Sequence, residues 1–111
     1  MNGLEKADVK KAVKLLKDIL ADLGVSNCQI LFFGSRARGD YTSDSDYDFL
    51  VIIQNPMSLS EKRRITSFIR MRMAENNIPV DVFLKDIRDY ESYKDIVGSL
   101  SYEVGKEGIA V

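Results

Sequence analysis

The residues best equipped for chemistry are Asp46 and Asp48, two apart at the mouth of an apolar run, 49–53, that reads as a β-strand. Side chains at i and i+2 of a strand share one face, roughly 6.5–7 Å apart along the backbone. Two carboxylates at that spacing can converge on a hard divalent cation, which takes oxygen ligands. Ahead of them stands Gly34-Ser35-Arg36-Ala37-Arg38-Gly39, a turn of small residues whose backbone N–H groups and hydroxyl suit a phosphate. A lone Asp-x-Asp is more often a solvated turn. Its coupling to Gly34-Ser35 at the end of the preceding strand lifts this pair above that reading. A phosphate turn joined to a divalent-ion pair is the equipment of phosphoryl or nucleotidyl transfer.

Rival motifs fail on their details. Asp44, Asp46 and Asp48 alternate like the opening of an EF-hand loop, but the sixth and twelfth positions hold Phe49 and Asn55 where Gly and Glu are needed. A Walker-type loop needs Lys-Ser or Lys-Thr after Gly39, and Asp40-Tyr41 stands there. Asp44 lies further into the polar loop and reads as exposed or auxiliary. Asp81 interrupts the apolar run 78–84. Half the weight goes to an Asp on the solvent face of an edge strand. The other half goes to a carboxylate completing a two-metal site, with ions about 3.5–4 Å apart. Arg36 and Arg38 read equally as triphosphate contacts or as ion-pair partners of Asp40 or Asp44. Lys62-Arg63-Arg64, with Arg70 and Arg72, reads as a solvated helix face.

These residues need elements to position them. Apolar residues at helical spacing over 4–23 predict a helix stopped by Gly24. Strands are expected at 29–33, 46–53 and 79–84, with a short helical turn from 35 or 36 to 39 and a polar loop at 40–45. Ser58 and Glu61 form a capping box for a helix ending at Asn76 and Asn77. A last helix is expected over 93–106 and an edge strand over 109–111. The order predicts an α/β (α+β) fold in which a small mixed sheet carries helices mainly on one face.

The chain's 111 residues, 45% apolar and 30% charged, suit one soluble globular domain spanning 1–111 rather than a disordered segment. Sixteen basic and seventeen acidic residues leave a net charge of −1, so the broad positive field of sequence-independent nucleic-acid binding is missing. The single Cys28 reads as a small core hydrophobe. With no histidine in the chain, both the commonest general base and the commonest zinc ligand are missing. No apolar run reaches membrane-spanning length and no signal pattern opens the chain, which points to the cytoplasm.

Taken together, Gly34-Ser35-x-x-x-Gly39, Ser45-Asp46-x-Asp48-Phe49 and Asp81 within Val-Asp-Val resemble the DNA polymerase β-type nucleotidyltransferase superfamily. The length and the Gly-Ser-Arg-Ala-Arg-Gly form resemble its minimal members, the MntA-like antitoxins paired with HEPN-domain toxins of the HepT type. The segments 100–104 and 107–109 are similar to that group too, while Tyr47 fills a position often aliphatic. The resemblance implies the nucleotidyltransferase fold, two Mg²⁺ ions on Asp46, Asp48 and Asp81, and ATP held by Gly34 and Ser35, with Arg36 or Arg38 at the phosphates. It also implies a hetero-oligomer in which AMP passes to a tyrosine of the toxin. Two other functions stay open: a catalytically silent module that neutralises a toxin by contact, and transfer to a small-molecule hydroxyl.

Overall fold

A computed structural model describes residues 7–111. Helix α1 (Ala7–Asp22) buries Val9, Ala12, Leu16, Ile19 and Leu20 along one stripe. The expected start of this helix at Leu4 lies outside the described residues. Gly24, at φ +75°, ends the helix, and Val25 N–H returns to Leu20 O at 2.9 Å. There follow β1 (Cys28–Phe33), α2 (Gly34–Arg38), β2 (Tyr47–Ile53), α3 (Leu59–Glu75), β3 (Val80–Asp86), α4 (Ile87–Tyr93), α5 (Leu100–Glu107) and β4 (Ile109–Ala110).

The four strands form one mixed sheet in the order β3-β2-β1-β4. Strand β2 runs antiparallel to β1 and parallel to β3, while β4 pairs antiparallel with the end of β1. Alternation along the strands then sorts side chains between two faces. Ile30, Phe32, Tyr47, Phe49, Val51, Ile53 and Val82 pack under α1 and α3 in the larger core. Leu31, Leu50 and Ile52 point the other way, into a smaller cluster with Phe83 of β3, Tyr90 of α4 and Val104 of α5. The two long helices cover one face, and the short ones only part of the other. Cys28 packs against the larger core, and burial pushes its thiol pKa up, as a small hydrophobe requires.

One half of the expected capping box forms: Glu61 N–H donates to Ser58 Oγ at 3.2 Å, while the Glu61 carboxylate accepts from the Ser58 hydroxyl at 3.3 Å. The last third of the chain needs a correction. No continuous helix spans 93–106; α4 ends at Tyr93, Gly98 takes φ +90°, and α5 starts only after Ser99. Two side-chain caps explain the split. Asp86 accepts Asp89 N–H at 2.8 Å and opens α4, while Ser99 accepts Tyr102 N–H at 3.1 Å and opens α5. Strand β3 accordingly runs two residues further than expected, to Asp86.

Candidate active site

The end of β1 and the start of β2 bring the Gly34–Gly39 turn onto the carboxylates. Phe33 pairs with Asp48 across the antiparallel ladder, so Gly34 leaves β1 directly beside the Asp48 side chain. Gly34 has φ +81°, and a β-carbon there would overlap Asp48 Oδ2 and sit 2.9 Å from its Cγ. Only glycine fits, both for its left-handed backbone and for the closeness of the carboxylate. Ser35 follows in the first turn of α2, where its carbonyl accepts the N–H groups of Gly39 and Asp40 at 2.9 and 3.1 Å. The six-residue turn is thus folded back on itself.

Parallel pairing sets Asp48 opposite Asp81 in β3. Neighbouring strands lie about 4.8 Å apart, and the pleat sends both side chains to the face of Leu50 and Phe83. The inward alternative for Asp81, set against an edge-strand solvent face at sequence level, therefore takes an intermediate form: Asp81 lies on an edge strand, partly exposed, yet beside Asp48. Asp46 sits one residue before β2 rather than within it, and is exposed.

Burial, then the charges of Asp81 and Asp46, push the Asp48 pKa up to about 6, against a pull downward from Arg38. Arg70, on α3, donates from Nη2 to Asp81 Oδ1 at 3.2 Å, a contact that the sequence did not reveal. Arg70 and Asp81 are eleven residues apart on different elements, and nothing in local spacing links them. Arg38 is exposed and pairs with Asp40 at 3.3 Å and with Glu107 of α5 at 3.4 Å. Arg36 turns to the loop instead: its Nε donates to Ser45 O at 2.8 Å.

A divalent cation fits this donor set in part. Asp48, raised in pKa by burial and then by its neighbours' charge, is a carboxylate that a cation would relieve, and Asp46 and Asp81 add hard oxygen donors. Among the described residues no three acidic, histidine or cysteine side chains already form a closed metal-binding group. Asp81 is turned toward Arg70 and would have to release it.

This geometry meets a family pattern. The nucleotidyltransferase domain model matches residues 13–103, from α1 through α5. The chain belongs to the nucleotidyltransferase domain family. It is 41% identical over 49 residues to the Methanocaldococcus jannaschii protein named "Putative protein adenylyltransferase MJ0141", a match covering 44% of the chain and 50% of that protein. The chain therefore spans about half the length of that relative. It also resembles a crystal structure described as that of a "putative nucleotidyltransferase" from Sulfolobus solfataricus, with a TM-score of 0.53 and 27% identity over 95% of this chain and 86% of the other. The fold is thereby that of the nucleotidyltransferase domain family. No helix among the described residues is long and apolar enough to cross a membrane.

Proposed function

We propose that this nucleotidyltransferase moves AMP from ATP to a tyrosine hydroxyl of a partner protein, a HEPN-type toxin, and so acts as an antitoxin in the cytoplasm. The observation that carries the reading is the packing of Gly34 against Asp48, with Asp81 in register on the next strand. That arrangement sets a phosphate turn and three carboxylates at one rim of the sheet. The name of the M. jannaschii relative supports a protein acceptor, and the resemblance of the motif as a whole supports the toxin.

Each residue has a part. The Gly34 and Ser35 backbone N–H groups and the Ser35 hydroxyl hold the triphosphate. Arg38 leaves its exposed pairs, which contribute little, to meet phosphate charge. Asp46, Asp48 and Asp81 would hold two Mg²⁺ ions, which when bound neutralise phosphate charge and ease loss of the acceptor proton. Asp81 stands nearest the acceptor side of the set, on the open edge strand. The chain then works by positioning: the acceptor oxygen must come within about 3–3.5 Å of the α-phosphorus, in line with the leaving pyrophosphate. A tyrosine, with a pKa near 10, gives up its proton more readily than an alkyl hydroxyl. The half-open rim leaves room for the partner to supply the other wall of the site.

The test is incubation of the protein with labelled ATP, Mg²⁺ and the product of the neighbouring gene, followed by mass spectrometry. The partner should gain whole AMP units on a tyrosine, and Asp46→Asn should abolish the gain without unfolding the protein. A partner that is neutralised in a stable complex yet stays unmodified would replace transfer by simple contact. Label found only on small hydroxyl compounds would move the acceptor to that class.

A further inference from the structure

Arg36 makes two hydrogen bonds to loop carbonyls and lies over two rings, Tyr41 and Tyr47. Its Nε donates to Ser45 O at 2.8 Å and its Nη2 to Ser43 O at 3.5 Å. The guanidinium lies 4.6 Å from the centroid of the Tyr41 ring and 4.2 Å from that of Tyr47. Tyr47 is buried in the larger core, so it points to the face of β2 opposite Asp48. Loop 40–46 has its own closure: Ser45 N–H donates to Thr42 O at 3.1 Å, and Thr42 N–H to Ser45 Oγ at 3.0 Å. Arg36 grips the outer carbonyls of that closed turn, and Ser45 O is the last carbonyl before Asp46.

We propose that Arg36 is a positioning residue, a strap from the phosphate turn to loop 40–46 that fixes Asp46 relative to Gly34 and Ser35 without touching the triphosphate. The side-chain type is suited to it. A planar, permanently charged guanidinium donates in two directions in its plane while stacking on rings with its faces, which an ammonium cannot do. Cation–ring contacts with a partly desolvated guanidinium stiffen the grip. Asp46 lies outside the sheet ladder, so no strand pairing fixes it. The strap supplies what the ladder does not. The role for Asp46 in cation binding rests on the function proposed above; the hold of Arg36 on the loop does not.

The test uses the full chain with Arg36→Ala and Arg36→Lys, and Tyr41→Leu as a milder variant that keeps the guanidinium. Three quantities are read: amide exchange at Thr42 and Ser45, Mn²⁺ affinity without nucleotide, and kcat and ATP KM across Mg²⁺ concentrations. Both Arg36 variants should speed exchange at Thr42 and Ser45 while β1 and β2 amides stay protected, and should weaken Mn²⁺ binding severalfold. They should lower kcat about tenfold to a hundredfold, as a displaced catalytic group does, with ATP KM little changed. Tyr41→Leu should give the same signs with smaller size. A raised ATP KM with wild-type exchange would make Arg36 a direct phosphate ligand and overturn the proposal. Recovery of kcat by lysine, or faster exchange with unaltered kcat, would overturn it too, the first leaving charge alone and the second a purely structural tie. Asp48→Asn serves as the control: wild-type Mn²⁺ affinity in that variant sinks the carboxylate site, while exchange and kcat still decide the role of Arg36.

Discussion

Asp48 carries its charge half-buried, against the backbone of Gly34 and beside Asp81 and Asp46, and its pKa is pushed up to about 6 from an ordinary 3.8. A folded-state pKa above the unfolded value means that the ionised carboxylate weakens the fold. The penalty is complete above about pH 6, shrinks as the pH falls through that value, and is gone below 3.8. Allowing for solvent screening at a partly exposed group, it amounts to about 1 kcal/mol. Asp48→Asn should therefore be more stable than the native chain in urea at pH 7.5 without divalent ions, by about that amount, and equal to it at pH 3.5. Added Mg²⁺ should stabilise the native chain and not the variant. A variant less stable at pH 7.5 would mean that the carboxylate has a favourable partner in the fold. Gly34 offers a companion test. Gly34→Ala should lose about 1 to 3 kcal/mol from its left-handed backbone and displace Asp48, removing pyrophosphate release altogether. Gly98→Ala shares the positive φ but meets nothing within 4 Å, so it should lose stability and keep activity.

Among the elements, the joint between β3 and α4 depends on one side chain. Asp86 caps α4 through Asp89 N–H and receives Lys62 Nζ of α3 at 3.3 Å, with both side chains largely covered. The hydrogen bond from Asp89, then the charge and hydrogen bond of Lys62 acting against burial, lower its pKa. A lowered folded-state value stabilises the fold above the ordinary carboxylate range, and that share is lost as acid carries the pH down through the folded pKa. Asp86→Ala should cost about 1 to 3 kcal/mol by denaturant unfolding at pH 7, and Asp86→Asn less, because an amide oxygen still caps the helix. The difference between Asp86→Ala and the native chain should narrow below about pH 3.5, a range set by the ordinary aspartate value. The same capping chemistry explains why a single helix over 93–106 was expected and two helices formed. Val97, Leu100 and Val104 line up at helical spacing, but Val97 is 77% exposed, whereas Val104 is 1% exposed. Periodicity weighed the aligned apolar residues and undervalued Ser99 and Gly98, which end one element and open the next.

Across the whole molecule, β2 is the shared wall of both packing clusters. Phe49 faces α1 and α3, Leu50 faces α4 and α5, and both are fully buried. Phe49→Ala should cost about 3 to 5 kcal/mol and Leu50→Ala about 2 to 5, each a large part of a domain's usual 5 to 15. The smaller cluster should prove as sensitive as the larger one, and urea midpoints of the two variants will show it. Because Leu50 shares the face of Asp48, Leu50→Ala should also raise the Mg²⁺ needed for activity, whereas Phe49→Ala should act on stability first. A Leu50→Ala variant with native stability would mean that α4 and α5 are lightly docked and add little to the core.

The unbroken apolar run 49–53 already announced a strand, and Asp46 and Asp48 at its mouth announced a pair of neighbouring carboxylates. Local chemistry also determined the cap at Ser58, the stop at Gly24 and the turn from Gly34 to Gly39, because each depends on residues within a few positions. Long-range pairing lay beyond it. Strand order put Asp81 on an edge strand, yet level with Asp48 and on the same face. Packing of α3 along β3 brought Arg70 to Asp81, and the path of loop 40–46 brought the carbonyls of Ser43 and Ser45 to Arg36. Residue type and spacing fix what a side chain can do. Which charge it meets depends on contacts between distant segments, and only the folded sheet sets those.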